Sequence, residues 1–181
     1  TSLIAMDDVA VAPLVEFDVL VVGGDTGRTS RWGDADSLAA IVASDKPVVG
    51  LGEGGYALFG KLGLSIGYPQ GAHGSGTGIH VVDPNEAAFT TPYPITVPED
   101  GTLELYGESR TVPIYLPAPV PGDVEILATA TDSNAYALLV MEKGRYLHWG
   151  FTAPPEAMTD VGADLFVNAL FRTAYRSAVL R

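Results

Sequence analysis

The chain of 181 residues contains no cysteine. Disulfides, thiolate catalysis and cysteine-based metal sites are thereby excluded. Lysine is almost as scarce, with only Lys46, Lys61 and Lys143, and the net charge is −12. Nucleic acids and anionic membrane surfaces are held by clustered Lys or Arg, so neither is an expected partner. The only histidines are His73, His80 and His148. The spacing of the first two matches no recognised ligand pattern, and neither a metal nor a cofactor is expected. No apolar run approaches the roughly 18 residues that a membrane span requires. Repeats and low-complexity linkers are also missing. The Gly- and Thr-rich stretch "GGDTGRTSRWGD" (23–34) lacks the spacing of a phosphate-binding P-loop.

What is present describes a folded domain. Apolar residues make up 47% of the chain, enough for one domain with a full core across 1–181. "VEFDVLVVGGD" (15–25) reads as a buried parallel strand ending at Gly-Gly. "DADSLAAIVASD" (34–45) reads as a helix, with Leu38, Ile41 and Val42 on one face. "KPVVGLG" (46–52) is a second buried strand, and "EGGYALFGKLG" (53–63) a short Gly-rich helix. "YPQGAHGSGTGIHVVD" (68–83) reads as a loop over the sheet end followed by a strand. Residues 92–121 hold seven of the 13 prolines and read as a β insertion of edge strands and turns. Three more regular strands follow, the last two joined by a hairpin at Glu142-Lys143-Gly144-Arg145. A final helix begins after Thr159, with Leu165, Phe166, Ala169, Leu170 and Thr173 inward. Arg172 and Arg176 fall late in it, near the negative end of its dipole. The alternation of strand and helix predicts an α/β fold, a mostly parallel sheet with helices on both faces and an antiparallel extension. Ligands bind such sheets at the carboxyl ends of the strands, here Gly23-Gly24-Asp25 and Gly52-Glu53-Gly54.

These residues resemble a family. "FDVLVVGGD", a helix and "PVVGLGEGGYALFGKLG" are similar to the core of class I glutamine amidotransferase-like, flavodoxin-like domains. In that superfamily the Gly-Gly strand end supplies oxyanion-hole amides, and the next strand reads P-h-h-G-h-C-x-G. Pro47, Gly50 and Gly54 match this pattern, and Gly52 stands where the nucleophilic cysteine would be. "GRYLHWGF" and "LFVNALF" resemble the last strand and helix of non-amidotransferase members. The likeness covers roughly residues 15–64 and 136–175 and omits the Pro-rich middle. His148 falls on the catalytic histidine's place, but Gly150 stands where the family has Glu. The resemblance therefore implies a branch without glutamine hydrolysis, like ThuA-like domains. It also implies that a first βα unit is absent from these residues. Only "SLIAMDDVAVAPL" precedes the first strand, with room for one short strand, and the start at Thr1 suggests a removed upstream piece.

The functional expectation is a non-catalytic amidotransferase-like module, structural or binding, of a larger bacterial protein. Its expected partners are other domains of the same polypeptide, in an extracellular or cell-surface setting rather than the cytoplasm. Gly23, Gly24, Asp25, Gly52, Glu53 and Gly54 form the candidate ligand site. One alternative is a hydrolase that uses Glu53, Asp25 and His148 on a bound water. Another is a small anionic-ligand domain using the Gly23-Gly24-Asp25 amides and the N-terminal end of the helix after Gly52; separately, Arg28 and Arg31 could bind an anion or pair with the surrounding Asp residues. For Glu53 itself the plain reading is a carboxylate at a helix N-terminus, worth about 0.3–1 kcal/mol.

Overall fold

The computed structural model describes residues 1–179, with side chains described through residue 175. In chain order the strands are β1 (Leu20–Val22), β2 (Gly27–Arg28), β3 (Arg31–Trp32), β4 (Val48–Leu51), β5 (Gly74–Ser75), β6 (Gly78–Val81), β7 (Thr102–Glu104), β8 (Arg110–Thr111), β9 (Ile114–Tyr115), β10 (Val124–Ala130), β11 (Ser133–Glu142) and β12 (Tyr146–Trp149). The α-helices are α1 (Ala35–Ser44), α2 (Gly52–Lys61), α3 (Ala87–Thr90) and α4 (Asp160–Val179).

The main sheet runs β1-β4-β12-β11-β10-β6-β7, with β9 added to β11. Only β1, β4 and β12 are mutually parallel; every other pair in this sheet is antiparallel. The expected mostly parallel sheet is thus a mixed sheet. The reason lies in loop length, because parallel neighbours need crossovers of about a dozen residues or more. Two residues separate β10 from β11 and three separate β11 from β12, so these neighbours must run antiparallel. Lys143 (φ 55°) and Gly144 (φ 63°) are both left-handed, which matches the right-handed twist of the hairpin they close.

Strand β4 lies between the edge strand β1 and β12. Val48, Val49, Gly50 and Leu51 are all buried, because helices cover both faces of the sheet at this point. Val48 packs in a cluster with Ile41 of α1 and Tyr56, Ala57, Leu58 and Phe59 of α2. Val49 and Leu51 join the opposite cluster, with Leu147, Trp149, Leu165 and Ala169. Helix α2 rests directly on β4, since a Cβ on Gly50 would lie 2.5 Å from the Cα of Gly55.

Two sequence expectations shrink. β1 keeps only three of the eleven residues in "VEFDVLVVGGD" and lies at the sheet edge, with Val21 exposed. Before it, Met6–Val11 and Leu14–Glu16 form 3₁₀ turns instead of the short strand expected there. In α1 the inward face is Ser37, Ile41 and Ser44, and Val42 is 58% exposed. Its caps are as local chemistry dictates. The Asp34 carboxylate accepts from the Ser37 N–H at 2.7 Å, and Asp45 turns left-handed at the far end.

Helix α4 starts where Thr159 Oγ1 accepts from the Gly162 N–H at 3.0 Å. Leu165, Ala169 and Thr173 are fully buried along it. Asn168 is buried too, and its amide is satisfied three times. It donates to the carbonyls of Ala88 (2.9 Å) and Tyr93 (2.7 Å) and accepts from the Tyr93 N–H (2.9 Å). Arg172 does not serve the helix end in solvent. It is buried, with Nε 2.6 Å from Glu86 and Nη2 2.7 Å from Glu125.

Candidate functional site

At the carboxyl end of β4 the chain turns into α2 through Gly52, whose φ is +43°. That is the left-handed geometry of a nucleophile elbow, and glycine adopts it without steric cost. A Cβ at this position would point into the segment after β12. It would lie 2.8 Å from Thr152 Cγ2, 2.9 Å from the Phe151 carbonyl oxygen and 2.9 Å from Thr152 Cα. Two of those three atoms are backbone, so the place a nucleophile would fill is occupied by main chain. Gly24 is fastened against the same turn, its carbonyl accepting from the Gly54 N–H at 3.1 Å. The Gly23 carbonyl accepts from Thr26 Oγ1 at 2.7 Å.

Glu53, the next residue, has a side chain only 14% exposed. One carboxylate oxygen accepts from the Thr29 N–H. The other lies 2.6 Å from His73 Nε2. His73 comes from the loop between α2 and β5, and its side chain is 69% exposed. Thr29 stands at the tip of the β2–β3 ribbon with φ 55°, a strained conformation for a β-branched residue. The ribbon is fixed to α2, because a Cβ on Gly27 would come within 3.0 Å of Ala57 Cβ and of Trp32.

These groups border a cleft of about 1140 Å³ at the strand ends. Asp25, Arg28, Glu53, His73, Arg110 and Thr152 are on its wall, together with Gly24, Ser75 and Thr111. Of the candidates read from the sequence, Gly24, Asp25 and Glu53 border it. Gly23, Gly52 and Gly54 form the turns behind. Arg31 is exposed but lies outside the cleft wall.

His148 is elsewhere. It is fully buried on the α2 face of β12, its Nε2 hydrogen-bonded to the Val112 carbonyl at 2.7 Å and its ring edge-on to Phe59. Its Nδ1 has no partner among the described residues. Burial pushes its pKa down to about 4; the Val112 hydrogen bond and the Glu53 charge act in the opposite direction. It is therefore a neutral imidazole near pH 7. His73 is the histidine that meets Glu53. Its only signal in the sequence was its position in a loop crossing a strand end, and Arg110 gave no local signal. Trp149 and Phe151 are core aromatics, with Trp149 Nε1 donating to the Tyr106 hydroxyl at 3.1 Å.

A mixed sheet with helices on both faces, a left-handed strand-to-helix turn and a cleft at the strand ends define an α/β domain compatible with a flavodoxin-like fold. Two solved structures have the same fold. One is a provisionally described GMP synthase subunit from Thermoplasma acidophilum (TM-score 0.55, 16% identity, 100% of this chain and 85% of that one). The other is a provisionally described ThuA-like protein from Bacteroides uniformis (TM-score 0.60, 14% identity, 89% of this chain and 70% of that one). Both are class I glutamine amidotransferase-like folds, and identities this low establish the fold alone. No family model matches the chain, and no curated protein matches it either.

Proposed function

We propose that this chain is a nucleophile-free amidotransferase-like module that serves a larger bacterial protein by structure or binding and does not hydrolyse glutamine. One observation carries the reading: a Cβ at Gly52 would lie within 2.9 Å of the Thr152 methyl and of backbone atoms of Phe151 and Thr152. On this reading the position that matches the family's nucleophile holds no side chain and leaves no room for one. The test is the Gly52→Cys variant. It is expected to melt well below the parent and to release no ammonia from glutamine. A Gly52→Cys protein with parental stability and glutaminase activity would overturn the reading.

A second reading is favoured by the Glu53–His73 contact of 2.6 Å on an open cleft. A carboxylate that orients an imidazole is the arrangement of a general base. In this reading Asp25 and Glu53 keep the roles the sequence suggested, and His73 replaces His148 on the bound water. A screen of ester, amide and phosphate substrates against the parent and His73→Ala decides it. Turnover that His73→Ala abolishes at unchanged stability supports hydrolysis, and no turnover rejects it.

A further inference from the structure

The cations of this chain are distributed in a telling way. Acidic residues outnumber Lys and Arg by 22 to 10, so a carboxylate partner is easy to find. Arg145 takes one, 2.5 Å from Asp45, and Arg172 takes two. Arg28, Arg31 and Arg110 take none among the described residues. Two of these three, Arg28 and Arg110, arrive from distant segments and border the same cleft.

Both arginines stand on fixed stems. Arg28 sits in the β2–β3 ribbon, opposite Arg31 and against α2. Arg110 pairs with Ser75 in the β5–β8 ribbon, and its carbonyl accepts from both the N–H (3.0 Å) and the Oγ1 (3.1 Å) of Thr152. One of the two carboxylates on the wall, Glu53, is already engaged through both oxygens by Thr29 and His73. The wall also carries the hydroxyls of Thr29, Ser75, Thr111 and Thr152 and the carboxylate of Asp25. Guanidinium forks match the geometry of carboxylate and phosphate oxygens. Hydroxyl groups and one carboxylate match a polyol. A cleft of about 1140 Å³ also has room for far more than a lone anion.

We infer that the cleft binds a small hydroxylated oxyanion, an acidic sugar or a sugar phosphate in chemical class. Its anionic group is held by Arg28 and Arg110, and its hydroxyls face Asp25 and the threonines. This rests on the binding reading of the module and names its ligand class. The experiment is calorimetric titration and thermal shift in low-salt buffer with gluconate, glucose 6-phosphate, inorganic phosphate and neutral sorbitol. Gluconate or glucose 6-phosphate is expected to bind at millimolar concentration or below and to raise the melting temperature, while sorbitol does neither. The gluconate and glucose 6-phosphate arms separate a carboxylate ligand from a phosphate one. Arg28→Gln and Arg110→Gln should each weaken binding by about tenfold or more, without lowering the unliganded melting temperature, since both residues are exposed. Arg31→Gln should leave binding unchanged. No binding of either hydroxylated anion, or binding that survives the Arg28→Gln/Arg110→Gln double variant, would overturn the inference. Its failure is separable from that of the elbow reading. A Gly52→Cys protein that hydrolyses glutamine sinks the latter, whatever the arginines bind.

Discussion

His148 should make this protein acid-sensitive in a window that can be named beforehand. The imidazole is fully buried, and burial lowers its pKa from about 6.5 to about 4. In the unfolded chain it returns to about 6.5. Between these values the unfolded state binds more protons than the folded state, so stability falls as pH drops through the window. Above about 6.5 both states carry neutral His148 and the contribution is complete. Below about 4 both are protonated and the loss is complete. At about 1.4 kcal/mol per pKa unit, the loss is on the order of 3 kcal/mol. Urea unfolding at a series of pH values measures it, with the fluorescence of buried Trp32 and Trp149 as a native-state signal. The control is His148→Gln, whose amide can still donate to the Val112 carbonyl. That variant has its own packing defect, so the informative quantity is the slope with pH. Parent minus variant should decline by about 3 kcal/mol from pH 7 to pH 4. Parallel pH profiles for the two proteins would refute the reasoning.

Two further predictions concern buried charge. Arg172→Ala should destabilise by about 3 kcal/mol in urea unfolding, because Glu86 and Glu125 lose the cation between them; a loss below about 1 kcal/mol would mean solvent already supports both carboxylates. Glu142 is buried and accepts from the Ser65 and Ile66 N–H groups at 2.7 and 3.2 Å, with burial as the main cause of a raised pKa. A raised carboxyl pKa means stability present in acid is lost as pH rises through the folded-state value. Parent stability relative to Glu142→Gln should therefore decline from acid towards neutral pH, and a rise instead would count against this sign.

Features set by neighbours in sequence were legible. The caps Asp34 and Thr159, the hairpin at Lys143-Gly144 and the β4–α2 turn all follow from residues a few positions apart. "LFVNALF" marked the last helix, and the buried Asn168 amide explains how that motif fastens the segment around Tyr93. What escaped depends on distant chain. The partners of Arg172 lie 86 and 47 positions away, and nothing near Arg172 distinguishes a buried arginine from a solvated one. His73 and Glu53 are 20 positions apart across an irregular loop. His148 had the right spacing for a catalytic histidine, but spacing along a strand does not tell which face is sealed. The antiparallel extension was expected, but its share of the sheet was underestimated, because apolar runs alone do not distinguish parallel from antiparallel strands. The short turns after β10 and β11 carried that information.

The contact between Gly50 and Gly55 reaches further than packing. With no side chain on either residue, α2 settles onto β4 and carries Glu53 down with it. The helix height sets where the Glu53 carboxylate meets Thr29 and His73, and so the shape of the cleft wall. A single methyl group at either glycine would lift the helix and retune the cleft from below, without altering any residue on its wall.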